Sequence, residues 1–92
     1  MENRENYVQA VIRELNALLP GLENELVNLY ALLVLTRGAE TTLKDVHDAW
    51  GVWRNLTNPT HKSLVPFDQL SLEVQELDRK YMEAIHKAAA SS

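Results

Sequence analysis

The chain has 92 residues, a length that suits one small domain rather than two. Its apolar fraction of 46% and charged fraction of 24% are ordinary for a globular protein and argue against intrinsic disorder. The net charge of -4 disfavours nucleic acid as a partner, because sequence-independent duplex binding needs a basic surface. We therefore expect residues 1–92 to form a single domain with no nucleic-acid partner.

The chain contains no cysteine, which excludes disulfides, thiolate metal sites and cysteine catalysis. Its polar start, Met1 to Asn6, lacks the apolar stretch of a secretory signal. The longest apolar run, Leu29 to Leu35, is much shorter than the ~20 residues that a membrane span requires. These features predict a cytoplasmic protein that does not enter a membrane.

Two helices are predicted in the first part of the chain, and together they form an N-terminal helical hairpin over residues 1–38. The first runs from about Asn6 to Leu19 and stops at Pro20-Gly21, a strong helix breaker. The second, Glu23 to Arg37, is apolar around almost its whole circumference, which is typical of a central buried helix. Because a domain this small covers only part of such a helix, either a homodimer through the second helix or the long loop would bury some of the remaining apolar surface. The apolar face of the first helix comprises Tyr7, Val8, Val11, Ile12, Leu15, Leu18 and Leu19.

The second half of the chain predicts two more helices separated by a long loop. Thr41 or Thr42 caps the third helix, which ends near Leu56 because a proline follows at position 59. The segment from Thr57 to Leu70 loses the helical period, and its apolar centre predicts an ordered loop. The prediction is an all-α fold: a small four-helix domain with a long ordered loop between the third and fourth helices. Ser71 caps the fourth helix, whose apolar stripe comprises Val74, Leu77, Tyr81, Ala84, Ile85 and Ala88.

One face of the third helix carries the candidate binding residues. His47, Trp50 and Arg54 are spaced i, i+3 and i+7 and therefore share a helical face. Acidic residues are absent from Ala49 to Phe67, although the chain as a whole is acidic. Indole rings stack on planar groups, and a guanidinium binds an anion with two hydrogen bonds. The predicted ligand- or partner-binding residues are His47, Trp50, Trp53, Arg54, His61 and Lys62.

A structural role for the same face is the alternative. Trp50 would then pack in the core, as tryptophan on a helical stripe usually does. His47 would satisfy a buried backbone carbonyl, and Arg54 would hold the loop in place. The sequence leaves both interpretations open.

Metal binding and catalysis are not expected. His47 with Asp45 or Asp48 is a weak candidate metal pair, because metal sites need more ligands at set spacings. No phosphate-binding loop, dinucleotide fingerprint or nucleophile elbow occurs in the sequence. Acid–base pairs such as Glu76 with Lys80 lie four residues apart, as surface ion pairs on a helix do. We expect no enzyme, no cofactor and no metal.

Three motif pieces together resemble the ryanodine-receptor-type repeat domain (RyR domain). They are His47-Asp48-Ala49-Trp50 followed by Arg54, the segment 61–70 (His-Lys-Ser-Leu-Val-Pro-Phe-Asp-Gln-Leu), and Asp78-Arg79. The resemblance covers residues 43–87. We expect the loop centre to pack against Trp50 and the inner face of the fourth helix. The structural residues of the motif are Leu64, Val65, Pro66, Phe67, Leu70 and Asp78.

The resemblance also carries an expectation about function. Short proteins with this motif behind two helices resemble proteins of actinobacteria and their phages. The resemblance implies a non-enzymatic protein–protein interaction module, a phage or actinobacterial accessory protein that acts on a host or cellular protein. The alternative that it implies is a sensor of a small, nucleotide-like anion held by Trp50 and Arg54.

Overall fold

The computed structural model describes residues 4–91 and confirms the all-α fold class. Residues Met1 to Asn3 and Ser92 of the predicted domain lie outside the described residues. No strand occurs within residues 4–91. None of the helices in this range is long and apolar enough to cross a membrane. The helices are α1 (Tyr7–Leu18), α2 (Asn24–Thr36), α3 (Leu43–Thr57), α4 (Leu72–Glu76) and α5 (Arg79–Ser91), with short 3-10 turns at Gly38–Glu40 and Phe67–Gln69.

Side-chain caps explain where three of the helices begin. The Asn6 side chain accepts a hydrogen bond from the Gln9 backbone, and the Gln9 side chain accepts one from the Asn6 backbone. Thr42 and Asp45 form the same reciprocal pair at the start of α3, with distances of 3.0 and 3.1 Å. Such pairs satisfy backbone N–H groups that have no partner within the helix. Ser71 caps α4 through the backbone N–H of Val74, as predicted.

The core lies around α2, as the all-round apolar pattern of that helix predicts. Helix α2 packs against α1, α3 and α5, and α5 also packs against α1. The exposed side of α2 presents Leu32 and Leu35, so the fold covers most but not all of its apolar surface. The largest fully buried side chains are Leu15, Val27, Tyr30, Val46 and Ile85.

The fourth predicted helix is broken into α4 and α5 at Leu77 and Asp78. The N–H of Leu77 donates to Val74 O and that of Asp78 to Gln75 O, which are the tighter bonds of a 3-10 turn. The tighter turn changes the helical register, and Leu77 is 67% exposed instead of lying on the apolar stripe. The prediction for Tyr7 is also wrong, because this residue at the first position of α1 is 73% exposed.

The long loop between α3 and α4 is ordered, as predicted. The His47 ring donates a hydrogen bond from Nε2 to Val65 O at 2.7 Å, and its centroid lies 6.1 Å from that of Phe67. Leu64 lies against α3, where a Cβ at Gly51 would be 3.5 Å from its Cδ2. The Gln75 side chain donates to the backbone carbonyls of Phe67 and Leu70. The loop is thus held by α3 and α4, and its half-buried apolar residues are Leu64, Val65, Phe67 and Leu70.

Candidate functional site

A cleft of about 720 Å³ lies between α2, α3, the long loop and the α4–α5 junction. Its volume falls within the range of small-molecule sites in proteins. Aromatic rings from three helices form its walls, and charged groups lie among them. We call it the aromatic cleft and define it by Tyr30, Trp50, Trp53, Arg54, Asp78 and Tyr81.

The α3 wall brings together His47, Trp50 and Arg54, as their spacing predicts. The His47 and Trp50 rings are stacked with centroids 5.7 Å apart, and the Arg54 guanidinium carbon lies 6.0 Å from the Trp50 ring. His47 is 5% exposed, and a backbone carbonyl can only accept, so its Nε2 carries the proton donated to Val65 O. The structural role that the sequence left open for His47 is therefore correct. Trp50 is half-buried, packs against the core and faces the cleft as well.

Arg54 is held by stacking rather than by hydrogen bonds. Its guanidinium carbon lies 4.4 Å from the centre of the Trp53 ring, a cation–π contact. Its Nε is buried without a hydrogen-bond partner, and its guanidinium forms no ion pair or hydrogen bond with any residue from 4 to 91. If Arg54 holds the loop in place, it does so by packing, because no hydrogen bond of its guanidinium joins it to the loop among residues 4–91. A buried guanidinium N–H that lacks a partner costs free energy unless a ligand supplies one.

Only one of the two basic loop residues reaches the cleft. His61 lines it and stands edge-on to the Trp50 ring, with centroids 5.2 Å apart. Its Nδ1 accepts the backbone N–H of Ser63 at 3.0 Å, which places the proton of the neutral ring on Nε2. Lys62 is exposed and does not line the cleft.

The opposite wall comes from α2 and the start of α5. Tyr30 and Tyr81 pack with ring centroids 5.7 Å apart, and the Lys80 ammonium lies 5.0 Å from the centre of the Tyr81 ring. Burial raises the pKa of the Tyr30 phenol, and the charge of Asp78 raises it further. This wall therefore keeps a neutral phenol beside a carboxyl group at physiological pH.

Asp78 is a half-buried carboxyl group within this wall. Its side chain forms no hydrogen bond or ion pair with the residues that the structure describes. Burial raises the pKa of the Asp78 carboxyl, and the charge of His47 opposes that shift. By contrast, the neighbouring Glu76 pairs with Arg79 at 2.7 Å and is exposed. Asp78 thus lies in the cleft with its acceptor oxygens unused.

Residues 64–70 of the RyR-like loop support the α3 wall and do not line the cleft. Val65 receives the His47 hydrogen bond, and Phe67 packs beside the same ring. The loop centre contacts α3 at His47 and Gly51, and α4, the first part of the predicted fourth helix, holds it through Gln75. The expected packing of the loop centre against Trp50 stays a prediction. Pro66 is exposed, and Leu70 is half-buried.

No group of three His, Asp or Glu side chains suited to a metal ion occurs among residues 4–91. The candidate pair of His47 with Asp45 or Asp48 does not form. His47 Nε2 is bonded to Val65 O, while Asp45 pairs with Arg37 and Asp48 with Lys44. These side chains are committed to other contacts.

Sequence reasoning missed the α2 wall of the cleft. Tyr30 belongs to a helix that is apolar all round. The hydrophobic pattern of such a helix does not indicate which of its sides faces a cavity. Tyr81 was assigned to the core stripe, and Asp78 only to a structural motif. A partial signal exists for Asp78: it is an acid placed between two apolar positions of the predicted stripe.

Fold and cleft together define a small all-α domain with an aromatic, charge-bearing cleft. The family model described as "Domain of unknown function (DUF7701)" matches residues 6–90. Because the match spans nearly the whole chain, the protein belongs to this family. No curated protein and no solved structure matches it. The resemblance to the RyR domain is not addressed by this match and stays a prediction.

Proposed function

We propose that this domain is a non-catalytic binding module whose aromatic cleft holds a small, nucleotide-like anion. The observation that carries the proposal is Arg54, which lines the cleft and stacks on Trp53 while its guanidinium forms no hydrogen bond or ion pair with residues 4–91. Its guanidinium offers planar donors to a phosphate or carboxylate, and the aromatic rings that line the cleft offer apolar surface to the rest of the ligand. A small ligand binds in a concave site, and the aromatic cleft supplies one.

Catalysis is not part of the proposal. The two histidines at the cleft already use ring nitrogens in structural hydrogen bonds, His47 to Val65 O and His61 from Ser63 N–H. Neither is bonded to a nucleophilic side chain, as a base in an acid–base pair would be. The cleft residues are thus better suited to holding a ligand than to transferring protons.

Arg54→Ala tests this proposal most simply. Guanosine 5′-monophosphate (GMP) is titrated into the protein, and the quenching of tryptophan fluorescence reports binding. Loss of Arg54 should weaken binding at least tenfold, because hydrogen bonds to a charged group contribute about 1.5 kcal/mol or more. The free energy of unfolding should fall only by the cation–π contact with Trp53, about 0.5–1 kcal/mol, because the guanidinium has no hydrogen bond to lose.

Lys62→Ala serves as the matched control. Lys62 is a cation of the same acid-free stretch as Arg54, residues 49–67, but it lies outside the cleft. It should change the salt dependence of binding and leave the affinity at physiological salt nearly unchanged. If Arg54→Ala binds GMP normally and melts early, the guanidinium serves the fold and the proposed site is wrong. Failure of the wild type to bind any mononucleotide would also contradict the proposal.

A protein partner is the second candidate, favoured by the outer side of α3. Val52 and Leu56 are four residues apart and are 60% and 72% exposed. Adjacent exposed apolar side chains of this kind contribute to protein interfaces. This candidate corresponds to the interaction module that the RyR resemblance implies, a cytoplasmic phage or actinobacterial protein that acts on a host protein. A partner that binds the wild type but not Val52→Lys would support it.

A further inference from the structure

The aromatic cleft contains a second polar group without a partner, the carboxyl of Asp78. Asp78 lines the same cleft as Arg54, but the two form no ion pair. Asp78 shares the cleft lining with His47 and Tyr30, and its charge helps to raise the pKa of the Tyr30 phenol. Opposite charges thus lie in one cavity without neutralising each other, and each is available to a ligand.

The chemistry of a carboxylate restricts what Asp78 can bind. When ionised it only accepts hydrogen bonds, and its two oxygens lie side by side. Half-buried and unpartnered, it loses part of its hydration without compensation, so a ligand that donates two parallel N–H bonds gains the most there. Arg54 attracts an anionic group instead, and the aromatic rings that line the same cleft favour a planar ring in the ligand.

We propose that the ligand is a guanine mononucleotide, with its base edge at Asp78, its ring among the aromatic side chains of the cleft and its phosphate at Arg54. This inference rests on the proposed function and names the ligand class of the same cleft. Guanine presents N1–H and N2–H as adjacent donors, which match both oxygens of one carboxylate. Adenine and cytosine each present a donor beside an acceptor, and that acceptor would face the second oxygen. Hypoxanthine retains only the N1–H donor.

The test compares the affinities of GMP, inosine monophosphate (IMP) and adenosine monophosphate (AMP) by fluorescence titration. In the wild type, GMP should bind at least tenfold more tightly than AMP, as expected for hydrogen bonds to a charged acceptor, with IMP between them. Asp78→Asn gives the side chain a donor and an acceptor, which match the edge of adenine. The preference for GMP over AMP should therefore fall to threefold or less in this variant.

Glu76→Gln is the control, since this carboxylate lines the same cleft but is already paired with Arg79. It should leave the ratio of GMP to AMP affinity unchanged. Arg54→Ala should weaken all three nucleotides by a similar factor and also leave the ratio unchanged. The ratio is independent of the fraction of protein that is folded, so a destabilised variant still reports it.

Three results would overturn the inference, and they separate it from the proposed function. Equal binding of GMP and AMP by the wild type, with both dependent on Arg54, would refute the guanine assignment and retain the anion site. An unchanged GMP preference in Asp78→Asn would refute the role of Asp78. If no nucleotide binds, both proposals are wrong. Should Asp78→Asn fail to fold, the wild-type ratio alone decides.

Discussion

His47→Phe removes the hydrogen bond that joins α3 to the long loop while keeping an aromatic ring in place. In the wild type, His47 is almost fully buried and its Nε2 donates to Val65 O across 18 residues of sequence. The variant leaves that carbonyl without its donor. An unsatisfied buried polar group costs about 1–3 kcal/mol. The same substitution keeps the ring contacts with Trp50 and Phe67, so the lost hydrogen bond is the main change.

A loss of about 2 kcal/mol should lower the unfolding midpoint of a domain of this size by roughly 8–16 °C. Thermal unfolding followed by circular dichroism measures this shift. Hydrogen exchange should also show earlier opening of residues 61–70 than of α2, because the loop loses its attachment to α3. His47→Gln keeps a side-chain N–H donor and should recover part of the stability.

Asp48→Ala is the control for the helix itself. Asp48 is exposed and forms one surface ion pair with Lys44, so its loss should cost little. If His47→Phe melts within 1 °C of the wild type and loop exchange is unchanged, the hydrogen bond to Val65 does not hold the loop.

Three further predictions follow from the structure. Phe67→Ala should lower the free energy of unfolding by about 2 kcal/mol, as measured by chemical denaturation. This loss is smaller than for a fully buried phenylalanine, because Phe67 is only half-buried. An unchanged free energy of unfolding would show that the loop does not pack on α3. Burial disfavours the ionised form of Asp78 and raises its pKa in the folded protein. The free energy of unfolding therefore falls as the pH rises from the pKa of Asp78 in the unfolded chain to its pKa in the folded protein, and it is unaffected at low pH, where the carboxyl is protonated in both the folded and the unfolded state. Asp78→Asn should therefore be more stable than the wild type at pH 7 and equal to it at pH 3, and equal stability at pH 7 would contradict this. If a homodimer forms through α2, Leu32→Lys should convert it to monomer in sedimentation equilibrium, and a monomeric wild type at high concentration would refute the dimer.

Local sequence signals predicted most of the fold. Thr42 and Ser71 cap the helices that follow them, because their hydroxyl groups satisfy backbone N–H groups within three residues. Such interactions are local and can be found from spacing alone. The shared face of His47, Trp50 and Arg54 was predicted for the same reason, since all three belong to one helix.

The errors lie where tertiary packing decides the outcome. Leu77 fits the apolar period of the fourth helix, but the 3-10 turn at Leu77 and Asp78 changes the register and exposes it. Tyr30 belongs to a helix whose period does not distinguish its faces. The cleft itself combines residues far apart in the chain, and no local pattern indicates that Tyr30, Arg54 and Asp78 meet there.

Nuclear magnetic resonance of the tryptophan indoles tests the binding cleft most directly. The protein has two tryptophans, Trp50 and Trp53, and both line the cleft, so two indole N–H signals report on it. Trp50→Phe assigns the two signals. On addition of GMP, both signals should shift to a saturating position in the wild type and stay in place in Arg54→Ala at the same concentrations. Indole signals that stay fixed in the wild type, while backbone amides around Val52 and Leu56 shift, would contradict a ligand site in the aromatic cleft.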